Sequence, residues 1–189
     1  RDDETGEVWS ATWQPVKAGY DEYKCCHGLG YTVISQLHSG IKSEVTYFVP
    51  TGKKMEFWWL KLKNNSTRPR KLSIFSYAEF CFFDAVKDQQ NVDWVQQINQ
   101  CRYDDGIITW YPHYVSGSAS FFATGAEVSS YDCNLETFIG KYRSESNPIA
   151  VEQGACSNSI SYRTNGVGAF CNEIELGRGE TKEIVFILG

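Results

Sequence analysis

The amino-acid sequence predicts an all-β protein, a β-supersandwich of packed antiparallel sheets, and three observations lead there. Runs with strand character recur along the whole chain and are separated by clusters of turn-forming residues. No long stretch repeats an apolar residue at the 3.6-residue helical period. Aromatic residues make up 15% of the 189 residues, with 11 Tyr, 11 Phe and 6 Trp against a single Met. Such rings suit packed β layers. They also suit surfaces that stack on sugars, and composition does not separate the two.

The elements follow in order. Residues 23–32 read YKCCHGLGYT, and the glycines mark a turn into a strand at 31–35. Residues 45–49 (VTYFV) are β-branched and aromatic and are stopped by Pro50-Thr51-Gly52. Residues 57–63 (FWWLKLK) alternate, with Trp58, Leu60 and Leu62 on one face, the mark of a strand buried on one side. A dense turn signal at 64–70 (NNSTRPR) precedes a second strand run at 71–83, which predicts a β-hairpin. Residues 89–100 (QQNVDWVQQINQ) are the best helix candidate, with Val92, Val95 and Ile98 three apart, although strand or loop competes. Strands are predicted at 107–111 after Asp104-Asp105-Gly106, at 120–124, at 172–176 and at 183–188. The last run, EIVFIL, is apolar on both faces and reads as an inner strand.

The length suits one sizeable domain spanning 1–189. Net charge is −5 and no basic run is long, which argues against a nucleic-acid partner. No apolar stretch approaches a membrane span, and no signal peptide is expected. Seven cysteines, an odd number at irregular spacing, predict reduced thiols and a cytoplasmic protein. The chain opens at Arg1-Asp2-Asp3-Glu4 and stops after Ile187-Leu188-Gly189, so it is expected to be cut from a larger polypeptide.

Three stretches could carry chemistry. Cys25-Cys26-His27 lacks the paired ligand spacing of a zinc site, so no metal is expected. His27 is no evident base for its neighbour Cys26, because neighbours on a strand point to opposite faces. Gly28-Leu29-Gly30 lacks the third glycine of a dinucleotide loop. The adjacent acids Asp2-Asp3-Glu4 and Asp104-Asp105 read as solvated turn residues, while Glu79, inside an apolar run, reads as a buried, paired carboxylate. The segment 89–100 combines amides and a carboxylate with Trp94, the side chains that hydrogen-bond and stack on a sugar.

Several stretches, taken together, resemble glycoside hydrolase family 94, formerly glycosyltransferase family 36, which includes cellobiose, chitobiose and laminaribiose phosphorylases. They begin with Asp3-Glu4-Thr5-Gly6-Glu7-Val8-Trp9-Ser10-Ala11-Thr12-Trp13-Gln14-Pro15-Val16-Lys17, His27-Gly28-Leu29-Gly30-Tyr31-Thr32 and Tyr47-Phe48-Val49-Pro50. Lys63-Asn64-Asn65-Ser66 and Ser76-Tyr77-Ala78-Glu79-Phe80 follow. Phe138-Ile139-Gly140-Lys141-Tyr142, Asn147-Pro148, Val151-Glu152-Gln153-Gly154 and Cys156-Ser157-Asn158-Ser159 complete the set, in family order.

The resemblance implies the N-terminal β-supersandwich of a larger homodimeric enzyme whose helical linker, (α/α)6 barrel and C-terminal β-domain lie elsewhere. It implies inverting phosphorolysis of a β-linked disaccharide to an α-sugar 1-phosphate and a free sugar. No cofactor is implied, inorganic phosphate being a co-substrate. The catalytic Asp belongs to the barrel, so none is assigned in 1–189, and the segment alone is expected to be inactive. In cellobiose phosphorylases a Phe-Gln-Arg-Asn loop of this domain lends its Arg to the acceptor sugar. The corresponding stretch here is Trp94-Val95-Gln96-Gln97, which puts Gln96 where that Arg stands. Trp94, Gln96 and Gln97 are therefore the expected acceptor-side contacts, and the loss of the forked donor argues against cellobiose itself. The competing reading is a stand-alone carbohydrate-binding β-sandwich module.

Overall fold

The computed structural model describes residues 1–81, 85–90, 94, 98–113 and 119–189. Its strands are β1 (Glu22–Gly28), β2 (Tyr31–His38), β3 (Ile41–Phe48), β4 (Glu56–Asn64), β5 (Arg70–Glu79), β6 (Asn99–Asp104), β7 (Ile107–Pro112), β8 (Ser120–Thr124), β9 (Ser130–Asn134), β10 (Ser161–Tyr162), β11 (Gly166–Leu176) and β12 (Thr181–Leu188). Short helices are α1 (Ala85–Gln90), α2 (Leu135–Ile139) and α3 (Ile149–Gln153). The all-β expectation holds. One sheet has nine strands in the order β1-β2-β3-β4-β12-β8-β7-β6-β10, and a second has three in the order β5-β11-β9.

The main core fills the space between these sheets. Ile41 and Val45 of β3, Leu60 and Leu62 of β4, Phe122 of β8 and Ile184 and Phe186 of β12 meet Leu72 of β5 and Phe170 and Leu176 of β11. Phe122 and Phe170 stack across the interface at 5.2 Å. On the other face of the small sheet, α2 and α3 bring Phe138, Ile139, Ala150 and Val151 onto Ala169 and Cys171, with Phe75 and Tyr77 packed alongside. Most of β11 is therefore buried on both faces, which its apolar first half (GVGAFC) permits. β12 takes the inner position predicted for it, between β4 and β8. Only its Ile184 face is buried, and Val185 on the opposite face is exposed.

The tight hairpins follow from local sequence. Asp105 and Gly106 both have positive φ, 39° and 80°, in the two-residue loop joining β6 to β7, the geometry that matches strand twist and that Asp-Gly supplies. The β1–β2 loop explains the paired glycines of the HGLGY stretch. Gly30 has φ 84°, and a Cβ on Gly28 would lie 2.3 Å from the Tyr31 ring.

Two expectations are corrected. β4 and β5 do not form a hairpin, because β4 pairs β3 and β12 whereas β5 pairs β11 in the other sheet. The turn at 64–70 is a crossover between layers. Asn64, fully buried, organises it. Its side-chain amide donates to the carbonyls of Arg68 (2.8 Å) and Leu176 (3.0 Å), and its Oδ1 accepts from the Ser66 amide (2.9 Å). The Asn64 backbone meets Gly179 and Glu180 of the β11–β12 connection, which also crosses between sheets. The helix candidate 89–100, secondly, holds only in part. Among its described residues Gln89, Gln90 and Trp94 are helical, whereas Asn99 and Gln100 belong to β6.

Candidate carbohydrate-contact region

The polar-aromatic segment 89–100 leads from the small sheet to the large one. β5 ends at Glu79 and β6 begins at Asn99, which is buried. Gln89 and Gln90 are exposed at the end of α1, and Trp94 is 47% exposed. Gln96 and Gln97, the other two expected acceptor contacts, lie outside the described residues.

Near the end of the segment, Ile98 packs on the core, and its carbonyl accepts from the His113 amide at 2.7 Å. Gln100 then stands in register with Tyr111 of β7 and Tyr162 of β10. Cross-strand partners share a face, so two exposed phenol rings flank one amide. Arg102, two residues on, donates to Gln100 Oε1 at 2.9 Å, and the Arg163 guanidinium lies 5.2 Å from the Tyr162 ring centre. This end of the large sheet thus offers aromatic faces, amides and guanidinium donors. Such groups bind and orient hydroxyls. They do not constitute an acid–base pair facing across a cleft, which glycoside cleavage would require.

The remaining candidates resolve as structural groups. Glu79 is paired as expected but exposed rather than buried, accepting the Tyr77 O–H at 2.5 Å. Burial first, then that carboxylate, pushes the Tyr77 phenol far up, so it stays a donor. Asp2 corrects the solvated-turn reading. It is fully buried and ion-paired with Arg70, whose Nε donates to Oδ2 at 2.6 Å, and it accepts the amides of Glu4 and Thr5 at 2.9 Å each. Asp104 and Asp105 are exposed, as solvated turn residues should be.

Cys25 and His27 share a face of β1, two residues apart, with Sγ 3.6 Å from Nε2, while His27 Nδ1 lies 3.0 Å from Thr32 Oγ1. The sulfur that His27 meets is thus that of Cys25, not that of its sequence neighbour Cys26. Both members of this contact are exposed on an edge strand. Among the described residues no group of three or more His, Cys, Asp or Glu could hold a metal. All seven cysteines are free thiols. Burial pushes Cys171 up to about 11, and the Cys133 contact together with burial pushes Cys101 up as well, so neither is a thiolate at neutral pH. His38 bridges the Gly19 carbonyl (2.5 Å) and Glu7 (2.9 Å) and stacks on Trp9.

Sequence reasoning missed Asp132, a fully buried carboxylate. It gathers the hydroxyls of Ser157 (2.9 Å) and Ser159 (2.6 Å) and the Ser159 amide (3.1 Å), fixing the loop after α3. The two serines spaced by two residues were the available signal. No helix among the described residues is long and apolar enough to cross a membrane.

Comparison with known proteins places this fold. Residues 1–189 match the family described as glycosyl hydrolase 94, supersandwich domain. The chain is 36% identical over 194 residues to N,N'-diacetylchitobiose phosphorylase of Vibrio furnissii, covering 100% of this chain and 24% of that protein. The protein of the same name from Vibrio proteolyticus is 37% identical over 194 residues, with the same coverage. Solabiose phosphorylase of Paenibacillus borealis is 32% identical over 186 residues, covering 95% of this chain and 24% of that protein. The chain therefore spans about a quarter of the length of these relatives. It belongs to the glycosyl hydrolase 94 supersandwich family.

Proposed function

We propose that residues 1–189 form the N-terminal supersandwich domain of a cytoplasmic, homodimeric disaccharide phosphorylase. The observation that supports this most strongly is the family match across 1–189, joined to similarity with phosphorylases of which the chain covers about a quarter. In this reading the domain shapes the acceptor side of an active site whose catalytic Asp and phosphate-binding groups sit in a helical barrel of the same polypeptide. The reaction is phosphorolysis of a β-linked disaccharide with inversion. Phosphate takes the place of the water in an inverting hydrolase, so one protein carboxyl suffices as general acid. The segment alone is then inactive. Its Trp94, Gln96 and Gln97 face the acceptor sugar, and diacetylchitobiose is the first substrate to offer, with cellobiose disfavoured by Gln96.

The test is phosphate dependence in the intact protein. Diacetylchitobiose, cellobiose and laminaribiose are supplied with and without inorganic phosphate, and sugar 1-phosphate is measured. Product that forms only with phosphate is the expected result and names the substrate. No sugar 1-phosphate from any of them would overturn the enzymatic reading as stated.

A further inference from the structure

Cys25, Cys26 and Cys81 are exposed thiols, whereas Cys101, Cys133, Cys156 and Cys171 are buried. Among the described residues, Cys25 alone of the exposed thiols has a histidine against its sulfur, with His27 Nε2 at 3.6 Å.

Strand geometry builds this contact. Positions 25 and 27 of β1 lie on one face, and the hairpin register sets Thr32 of β2 directly opposite His27. The connecting loop is only Leu29-Gly30, and the Tyr31 ring closes over Gly28, where a Cβ would lie 2.3 Å from it. The register is therefore held by a tight turn, and Thr32 Oγ1 stands 3.0 Å from His27 Nδ1.

The chemistry follows from the donors and acceptors. A hydroxyl oxygen accepts the Nδ1–H of either a neutral or a protonated imidazole. With Nδ1–H so engaged, Nε2 of the neutral ring presents its lone pair to the Cys25 S–H. After proton transfer the same nitrogen donates to the thiolate. Nucleophile, base and orienting group are thus in sequence. Every residue of β1 is exposed and β1 is an edge strand, so a small molecule reaches the sulfur. Cys26 points to the opposite face. Its Cα is about 3.8 Å from that of Cys25 across the peptide bond, closer than the roughly 4.4 Å that a disulfide needs.

We propose that Cys25 is a modification site for small-molecule disulfides, with His27 as its base and Thr32 positioning the imidazole. The Cys25 proton passes to His27 Nε2, and the sulfur attacks one sulfur of the incoming disulfide. A new S–S bond forms to Cys25 as the old one breaks, and the departing thiolate takes the proton from His27. Cys25 is oxidised and the released half is reduced, so no further oxidant is consumed. Cys26 does not displace the adduct, which therefore persists as a mixed disulfide. The site is independent of the enzymatic reading.

Competition within the intact protein tests this, with Cys26 and Cys81 as exposed references. A substoichiometric amount of iodoacetamide is added at neutral pH, and alkylation of each cysteine peptide of 1–189 is followed by mass spectrometry. Cys25 should react at least about tenfold faster than Cys26 or Cys81. His27→Gln should remove that advantage. The two references should keep their rates and the four buried thiols should stay unlabelled, which reports an intact fold. Thr32→Ser should preserve the advantage, and Thr32→Val should reduce it. With glutathione disulfide, a glutathione adduct should accumulate on Cys25 and be released by dithiothreitol. Equal rates at the three exposed thiols overturn the proposal, as does an advantage that survives His27→Gln. A Cys25–Cys26 disulfide in place of the adduct also overturns it.

Discussion

At the scale of single residues, the strongest electrostatic commitment is Asp2 with Arg70. Neither side chain is more than 5% exposed. Burial by itself raises the Asp2 pKa, but the amides of Thr5 and Glu4 and the Arg70 guanidinium outweigh it, and the net shift is downward. A carboxyl depressed in the folded state contributes stability above its unfolded pKa, about 3.9, which is lost as pH falls through the folded value. Removing only the cation leaves a buried anion unpaired. Arg70→Leu should therefore cost about 3–5 kcal/mol at neutral pH. It should also abolish the downward shift, and with it the acid destabilisation attributable to Asp2, so that the gap between the two proteins narrows as pH falls through the unfolded pKa. Urea denaturation of the two proteins between pH 3 and 7 measures both effects. Equal stabilities at neutral pH would show that the pair contributes nothing net. Sequence reading placed Asp2 in solvent because adjacent acids in a turn are usually solvated. The partner that reverses this, Arg70, lies 68 residues away, and nothing local announces a pairing over that distance.

At the scale of elements, legibility followed the range of the forces involved. Period-two alternation placed β4 and its buried Leu60 and Leu62, and the turn residues placed the β6–β7 loop at Asp105-Gly106, because both effects act within a few residues. Residues 120–124 were read with their observed bounds as β8. Sheet membership was not legible. The 64–70 turn looks like any hairpin loop, yet Asn64 donates to Leu176, 112 residues away, and redirects the chain to the second sheet. The end of the helix candidate was not legible for a related reason. Gln89, Gln90 and Trp94 are helical as the spacing in 89–100 suggests, but Asn99 and Gln100 pair with β7 and follow the sheet instead. Asn64→Ala removes the donor to the buried Leu176 carbonyl and to the Arg68 carbonyl, and an acceptor for Ser66, which should destabilise the fold by about 2–4 kcal/mol. Asn65→Ala, one residue on in the same turn, should cost under about 1 kcal/mol. Thermal unfolding of the two variants checks the contrast, and similar losses would deny Asn64 its organising role.

At the scale of the whole molecule, the candidate region makes one kinetic prediction. The two outer rings, Tyr111 and Tyr162, flank Gln100 at the end of the large sheet, and the segment holding Trp94 leads into it. The combination of amides and an aromatic was readable at 89–100. The flanking tyrosines were not, because their alignment depends on the pairing of three strands. In the proposed enzyme this region meets the acceptor sugar, while the sugar 1-phosphate is held by the barrel. A residue that touches only the acceptor changes kinetics only through the acceptor. In the synthetic direction, Gln96→Ala should raise the KM for the acceptor sugar by about tenfold, the value of one lost polar contact, and leave the KM for the sugar 1-phosphate within about twofold. Gln96→Arg restores a forked donor and should shift preference among acceptors towards glucose, the acceptor that reverses cellobiose phosphorolysis. Initial rates against each substrate in turn, with the other saturating, separate the two constants. Equal losses on both would mean that the side chain supports the site as a whole, and the acceptor assignment would fall even if phosphorolysis itself had been demonstrated.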